Sequence, residues 1–134
     1  AWRGEVFAVE QDAENLGHIR ENLRRFGILN VTPVEGHAPA VLKGLPSPTA
    51  VFVGGTGGEM GAILSYVGKT AQSGCRVVVN VATLEHLGEA LRVMDGLKWP
   101  FQVSQASLSY GQDVAGLTRL APLNPIFILS GKVR

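Results

Sequence analysis

Four places along this chain set polar or glycine residues directly after an apolar run of strand length, where chemistry is most often found in α/β proteins. The first is Glu10, which ends the run Val6-Phe7-Ala8-Val9 and precedes a helix start near Asp12. A carboxylate there can accept two hydrogen bonds from the vicinal hydroxyls of a ribose. It can equally be a solvated helix-start acid favoured by the dipole, and the residues alone leave both readings open. The second is Glu35-Gly36-His37-Ala38-Pro39 after the short strand Val31 to Val34. Small residues there would let a flat base lie against backbone while His37 or a main-chain N–H reads its edge. A lone histidine is more often a surface residue than a ligand contact, and that reading also stands.

The third place is the richest. Gly54-Gly55-Thr56-Gly57-Gly58-Glu59-Met60-Gly61 follows the run Ala50 to Val53 and opens a helical segment. Glycines permit close backbone approach, and a helix N-terminus favours negative charge, so the expectation is an anion or substrate loop. A tight strand-to-helix turn explains one or two glycines but poorly explains four in five positions. Met60 occupies the last glycine position of G-x-G-x-x-G counted from Gly55, so only a longer spacing through Gly61 fits, and the Lys-Ser/Thr ending of a phosphate loop is lacking. The fourth place is Ser109-Tyr110-Gly111-Gln112-Asp113 through Arg119-Leu120. Arg119 has the forked geometry to pair with a carboxylate, or is a solvated hairpin arginine. Cys75 has no evident basic partner, His18 and His86 lack metal-ligand spacing, and no serine sits in a nucleophile elbow. These residues point to no metal and no covalent catalysis, and single out no catalytic residue.

Positioning these residues requires alternating strands and helices. The strand-length apolar runs Val6–Val9, Ala50–Val53, Val77–Val79 with Val81, and Ile126–Leu129 are continuous rather than alternating, as in strands covered on both faces. Between them lie helix-period sets: Leu16, Ile19, Leu23 and Phe26; Met60, Ile63, Leu64 and Val67; Leu84, Leu87, Leu91 and Met94. Alternation of this kind predicts a parallel sheet with right-handed crossovers. After Trp99-Pro100 the pattern changes: two strand-like stretches, Phe101 to Leu108 and Pro125 to Leu129, have no helical segment between them and predict a terminal antiparallel hairpin.

Bulk composition narrows the function class. The 134 residues are 46% hydrophobic and 17% charged, which predicts a single globular domain over 1–134 with one core. A formal charge of +1 argues against a nucleic-acid footprint. One cysteine, no apolar run of membrane-spanning length and no leader-like segment make a cytoplasmic setting without membrane partners the default expectation.

The segments V-F-A-V-E (Val6–Glu10), N-V-T-P-V-E-G-H-A-P (Asn30–Pro39), V-F-V-G-G-T-G-G-E (Val51–Glu59) and G-L-T-R-L-A-P-L-N-P-I-F-I (Gly116–Ile128) resemble the decarboxylating precorrin methyltransferases. That family comprises a separate cobalamin-pathway C15-methyltransferase subunit and the carboxyl-terminal half of precorrin-6Y C5,15-methyltransferase. The resemblance implies a class I, Rossmann-like S-adenosylmethionine methyltransferase fold. It also implies methylation of carbon-15 of a tetrapyrrole with loss of carbon dioxide from the ring-C acetate. The partners implied are a homotetramer and a fused or separate C5-methyltransferase. Carried over, Glu10 would hold the ribose, His37 and Ala38 would line the adenine pocket, and Gly54, Gly55, Thr56, Gly57 and Gly58 would border methyl donor and substrate, with Arg119 toward a substrate carboxylate. His37 stands where the family usually has Asp, and Tyr110 where Arg is common before the glycine.

The family's first strand and its glycine-rich cofactor loop precede the acidic strand by about twenty residues, whereas Val6 here follows only five residues. The expectation is a methyltransferase domain incomplete at its amino-terminal end, with two strand edges flanking the vacant central position. Two other readings compete. An NAD(P)-type domain would use Gly55, Gly57 and Gly61 as its pyrophosphate turn, but Val77–Val81 is followed by Ala82 and Thr83, and the first acid, Glu85, comes late. The other is a non-catalytic fragment keeping only an assembly surface.

Overall fold

The computed structural model describes residues 4–56 and 58–134, and these fall into two compact units divided between Pro46 and Ser47. Each is considered by itself.

The first unit is a βαβ element: β1 (Val6–Glu10), α1 (Ala13–Phe26) and β2 (Val31–Glu35), followed by a short 3-10 helix, Ala40–Gly44. The two strands pair in parallel, Val6 opposite Val31 through Glu10 opposite Glu35. Helix α1 starts where Asp12 accepts the Asn15 N–H at 2.9 Å, satisfying one of the amides a helix start leaves free. Glu14 in the first turn and Arg24 and Arg25 in the last complement the helix dipole. Gly27, at φ 63°, ends the helix in the left-handed conformation that glycine adopts without strain. Of the predicted stripe, Leu16 is fully buried and Ile19 and Leu23 are half-buried. Phe26 departs from it and is exposed, its ring under the Arg25 guanidinium at 5.6 Å.

The second unit contains β3 (Ala50–Val53), α2 (Met60–Thr70), β4 (Arg76–Val81), α3 (Leu84–Gly96), β5 (Phe101–Ala106), β6 (Ser109–Val114), β7 (Leu117–Pro122) and β8 (Ile126–Lys132). Its main sheet is mixed, in the order β3-β4-β8-β5, with β3 and β4 parallel and β8 antiparallel to both neighbours. The expected pairing of the two late stretches is present as β5 with β8, but β8 enters between β4 and β5. Strand periodicity carries no information on that insertion order. Between β5 and β8 the chain makes a separate two-stranded ribbon, β6 with β7, turned by Ala115 and Gly116, both at positive φ.

Among the described residues, those of this unit that are buried as whole residues are apolar. Met60, Ile63, Leu64 and Val67 of α2 are buried as their spacing predicts, and so are Val77, Val79 and Val81 on one face of β4. On α3 the buried residues are Ala90 and Met94, while Leu84 is 71% exposed. The stripe on α3 therefore begins a turn later than the leucine spacing suggested. Gly68 on α2 lies under the Trp99 indole, where an added Cβ would come within 3.2 Å of the ring, so a small residue is required for that contact.

Candidate functional site

In the first unit the parallel register brings the predicted nucleotide-facing residues to one end. Pairing of Glu10 with Glu35 is extended by a hydrogen bond from the Gly36 N–H to the Glu10 carbonyl at 3.1 Å. Glu10 and the Gly36-His37-Ala38 loop thus share the carboxyl ends of β1 and β2, where ligands of open parallel sheets bind. The half-buried Glu10 carboxylate accepts the Asp12 N–H through Oε1 at 2.9 Å. That bond fixes the side chain at the helix start and leaves Oε2 free to accept from elsewhere. Both sequence readings of Glu10 are therefore compatible in one residue, an anchored helix-start acid with spare acceptor capacity. Gly36 has a steric reason to be glycine: a Cβ there would lie 2.7 Å from a Val41 methyl. The loop is held close to the 3-10 turn, with Ala38 half-buried and His37 exposed.

In the second unit the glycine loop forms the wall of a cavity of about 480 Å³. Gly54, Gly55, Thr56 and Gly58 line one side, with Met60 at the start of α2. Asn80, Val81 and Ala82 at the end of β4 and His86 on the first turn of α3 also line it. Gly57 lies outside the described residues. The four-glycine argument separates by position. Gly58 sits at φ 92° and needs glycine for its backbone, whereas Gly55 has ordinary φ and open space where a Cβ would go. No contact among the described residues demands glycine at 55.

Two polar residues of the cavity were not singled out by sequence. Asn80 interrupts the valine run of β4, and its Oδ1 is buried with no hydrogen-bond partner, the only such side-chain atom among the described residues. A buried unpaired acceptor is costly and calls for an explanation. The signal was available, since a lone amide in V-V-V-N-V is out of place in a covered strand. His86 is exposed, and its backbone N–H is capped by Thr83 Oγ1 at 3.2 Å. No side chain caps the start of α2, so its first amides remain available near Met60.

Arg119 is not among the residues lining the cavity. It lies on β7 in the ribbon, opposite Gln112, and donates to Gln112 Oε1 from Nη2 at 3.0 Å and Nε at 3.3 Å. Among the described residues no group of three or more His, Cys, Asp or Glu could hold a metal ion, and no helix is long and apolar enough to cross a membrane.

A sequence profile of the family described as precorrin methyltransferase domain matches residues 1–132. A curated protein of Pyrobaculum calidifontis, named probable cobalt-precorrin-6B C(15)-methyltransferase (decarboxylating), is 35% identical over 126 residues, or 93% of this chain. The chain spans 64% of that relative's length. The crystal structure of precorrin-6y C5,15-methyltransferase from Geobacter metallireducens superposes with a TM-score of 0.91 at 32% identity, covering 96% of this chain and 68% of the other. A SAM-dependent O-methyltransferase from Thermotoga maritima shares the fold, with a TM-score of 0.72 at 20% identity over 98% of this chain and 51% of its own. The architecture is thus that of the class I, Rossmann-like methyltransferases.

Proposed function

Since the chain belongs to the precorrin methyltransferase domain family, we propose that it methylates carbon-15 of a tetrapyrrole of cobalamin biosynthesis and promotes loss of the ring-C acetate as carbon dioxide. The observation that carries this reading is the similarity to the Pyrobaculum relative over 126 residues, 93% of this chain. S-adenosylmethionine would supply a methyl group activated by its sulfonium. The residues fit such a donor: Glu10 retains a free carboxylate oxygen for ribose hydroxyls, and the Gly36 to Ala38 loop presents a small, flat surface at the same strand ends. His37 and Ala38 would line the adenine. Gly54, Gly55, Thr56, Gly57 and Gly58 would border the substrate, with Arg119 reaching a peripheral carboxylate once its bond to Gln112 is exchanged.

We read residues 1–134 as one methyltransferase domain, acting in the cytoplasm within a homotetramer, with a fused or separate C5-methyltransferase as partner. Exposed apolar side chains on the β6–β7 ribbon favour self-association. Incubation of the full-length protein with S-adenosylmethionine and a precorrin tests the activity, read by mass spectrometry as gain of methyl and loss of carbon dioxide. Glu10→Ala should weaken S-adenosylmethionine binding by ~1–3 kcal/mol in calorimetry, the range for a charge-assisted hydrogen bond. Unchanged affinity would confine Glu10 to its helix-start role.

A further inference from the structure

The relatives' names join methyl transfer to decarboxylation, and the cavity under the glycine loop has features suited to the second process. A carboxylate leaves as carbon dioxide more readily when its localised charge is not held by a strong ion pair, because such pairing stabilises the ground state more than the dispersed charge of the transition state. Among the described residues lining this cavity there is no Lys or Arg. Met60, Val81 and Ala82 give it an apolar wall, and Asn80 also borders it. The uncapped start of α2 offers only partial positive charge, enough to orient a carboxylate without clamping it. One imidazole, that of His86, borders this space.

Resting on the methyltransferase reading above, we propose that this cavity receives the acetate side chain that is lost, and that His86 returns a proton to the carbon left behind. The bond between the methylene carbon and the carboxylate breaks and carbon dioxide departs. The electron pair stays on the methylene carbon, delocalised into the conjugated macrocycle. The imidazolium of His86 then donates a proton to that carbon, forming the C–H bond that completes a methyl group. The neutral imidazole regains a proton from water, to which His86 is exposed. No oxidant or reductant is needed.

The test uses the full-length protein, a precorrin and S-adenosylmethionine, with carbon dioxide release, methyl incorporation and substrate binding by absorbance titration measured separately. His86→Gln should lower kcat for carbon dioxide release by about a hundredfold or more, the range for a lost general acid, with KM little changed and partial rescue by added imidazole. Ala82→Arg places a cation at the cavity and should bind substrate about two- to fivefold tighter, the scale of an exposed ion pair, while releasing carbon dioxide more slowly. Both positions are exposed, and thermal melts check that the variants fold. Wild-type release by His86→Gln, or loss without imidazole rescue, overturns the proton role. Weaker binding or unchanged release in Ala82→Arg overturns the assignment of the cavity. A wild-type protein that leaves the tetrapyrrole unchanged sinks the methyltransferase reading itself, whereas wild-type turnover with unaltered variants sinks only this inference.

Discussion

Residue by residue, the glycine loop shows how one motif can hold two different requirements. Gly58, at φ 92°, is set by the backbone, and any side chain there is strained. Gly55 is free of that constraint and faces the cavity with room for a methyl group. Gly55→Ala should therefore leave the melting temperature unchanged or slightly raised, by the gain of up to ~1 kcal/mol that a compatible Gly→Ala change gives, while reducing methyl transfer. Gly58→Ala should instead lose stability. Thermal melts alongside activity assays separate the two, and parallel losses at position 55 would return that glycine to a folding role. The glycine run was conspicuous in sequence, but the conformational difference between its members was not. A φ value depends on how strand β3 hands over to helix α2, and glycine is permitted on either side of the map.

Among the elements, the β6–β7 ribbon is the one whose stability its own chain explains least. Two-stranded ribbons are marginal alone, and this one is exposed along nearly its whole length. Register puts Tyr110 with Ala121 and Val114 with Leu117 on one face, and a hydrogen bond from the Leu123 N–H to the Leu108 carbonyl extends the pairing. Leu117 is 75% exposed and Leu123 53%. A second copy of the ribbon would cover these side chains, which is the physical basis for the proposed self-association. The double change Leu117→Lys and Leu123→Lys should shift the protein toward monomer in sedimentation velocity, with the secondary structure seen by circular dichroism retained. An unaltered assembly would place the subunit contact elsewhere. Sequence showed two late strand-like stretches and an arginine in a hairpin setting; it did not show that a whole ribbon separates β5 from β8, because Ser109 to Pro122 lacks the continuous apolar run of a covered strand.

Across the whole molecule, Cys75 links burial to stability. It is 2% exposed, and desolvation pushes its thiol pKa up, so the folded chain holds it neutral. The unfolded chain gives up that proton first as pH rises. The stabilisation is therefore complete below the unfolded thiol value and is lost as pH climbs from that value toward the folded one. Urea melts at rising alkaline pH should show a decline in unfolding free energy that is reduced in Cys75→Ala. Native protein should meanwhile resist thiol reagents at neutral pH. Reaction at the rate of a free peptide thiol would contradict the burial.

By itself the sequence determined the alternation of strands and helices, the buried stripe of α2 and the location of polar residues at strand ends, because these follow from side-chain periodicity and turn chemistry, which are local. It also carried the family in its Gly54–Glu59 and Thr118–Pro125 segments. Only the tertiary structure decided that β8 enters between β4 and β5, that Arg119 donates to Gln112 across the ribbon, and that Asn80 and His86 border one cavity with the glycine loop. Those outcomes depend on which distant segments meet, and contact across the chain is settled by the packing of the whole unit rather than by any one stretch of it.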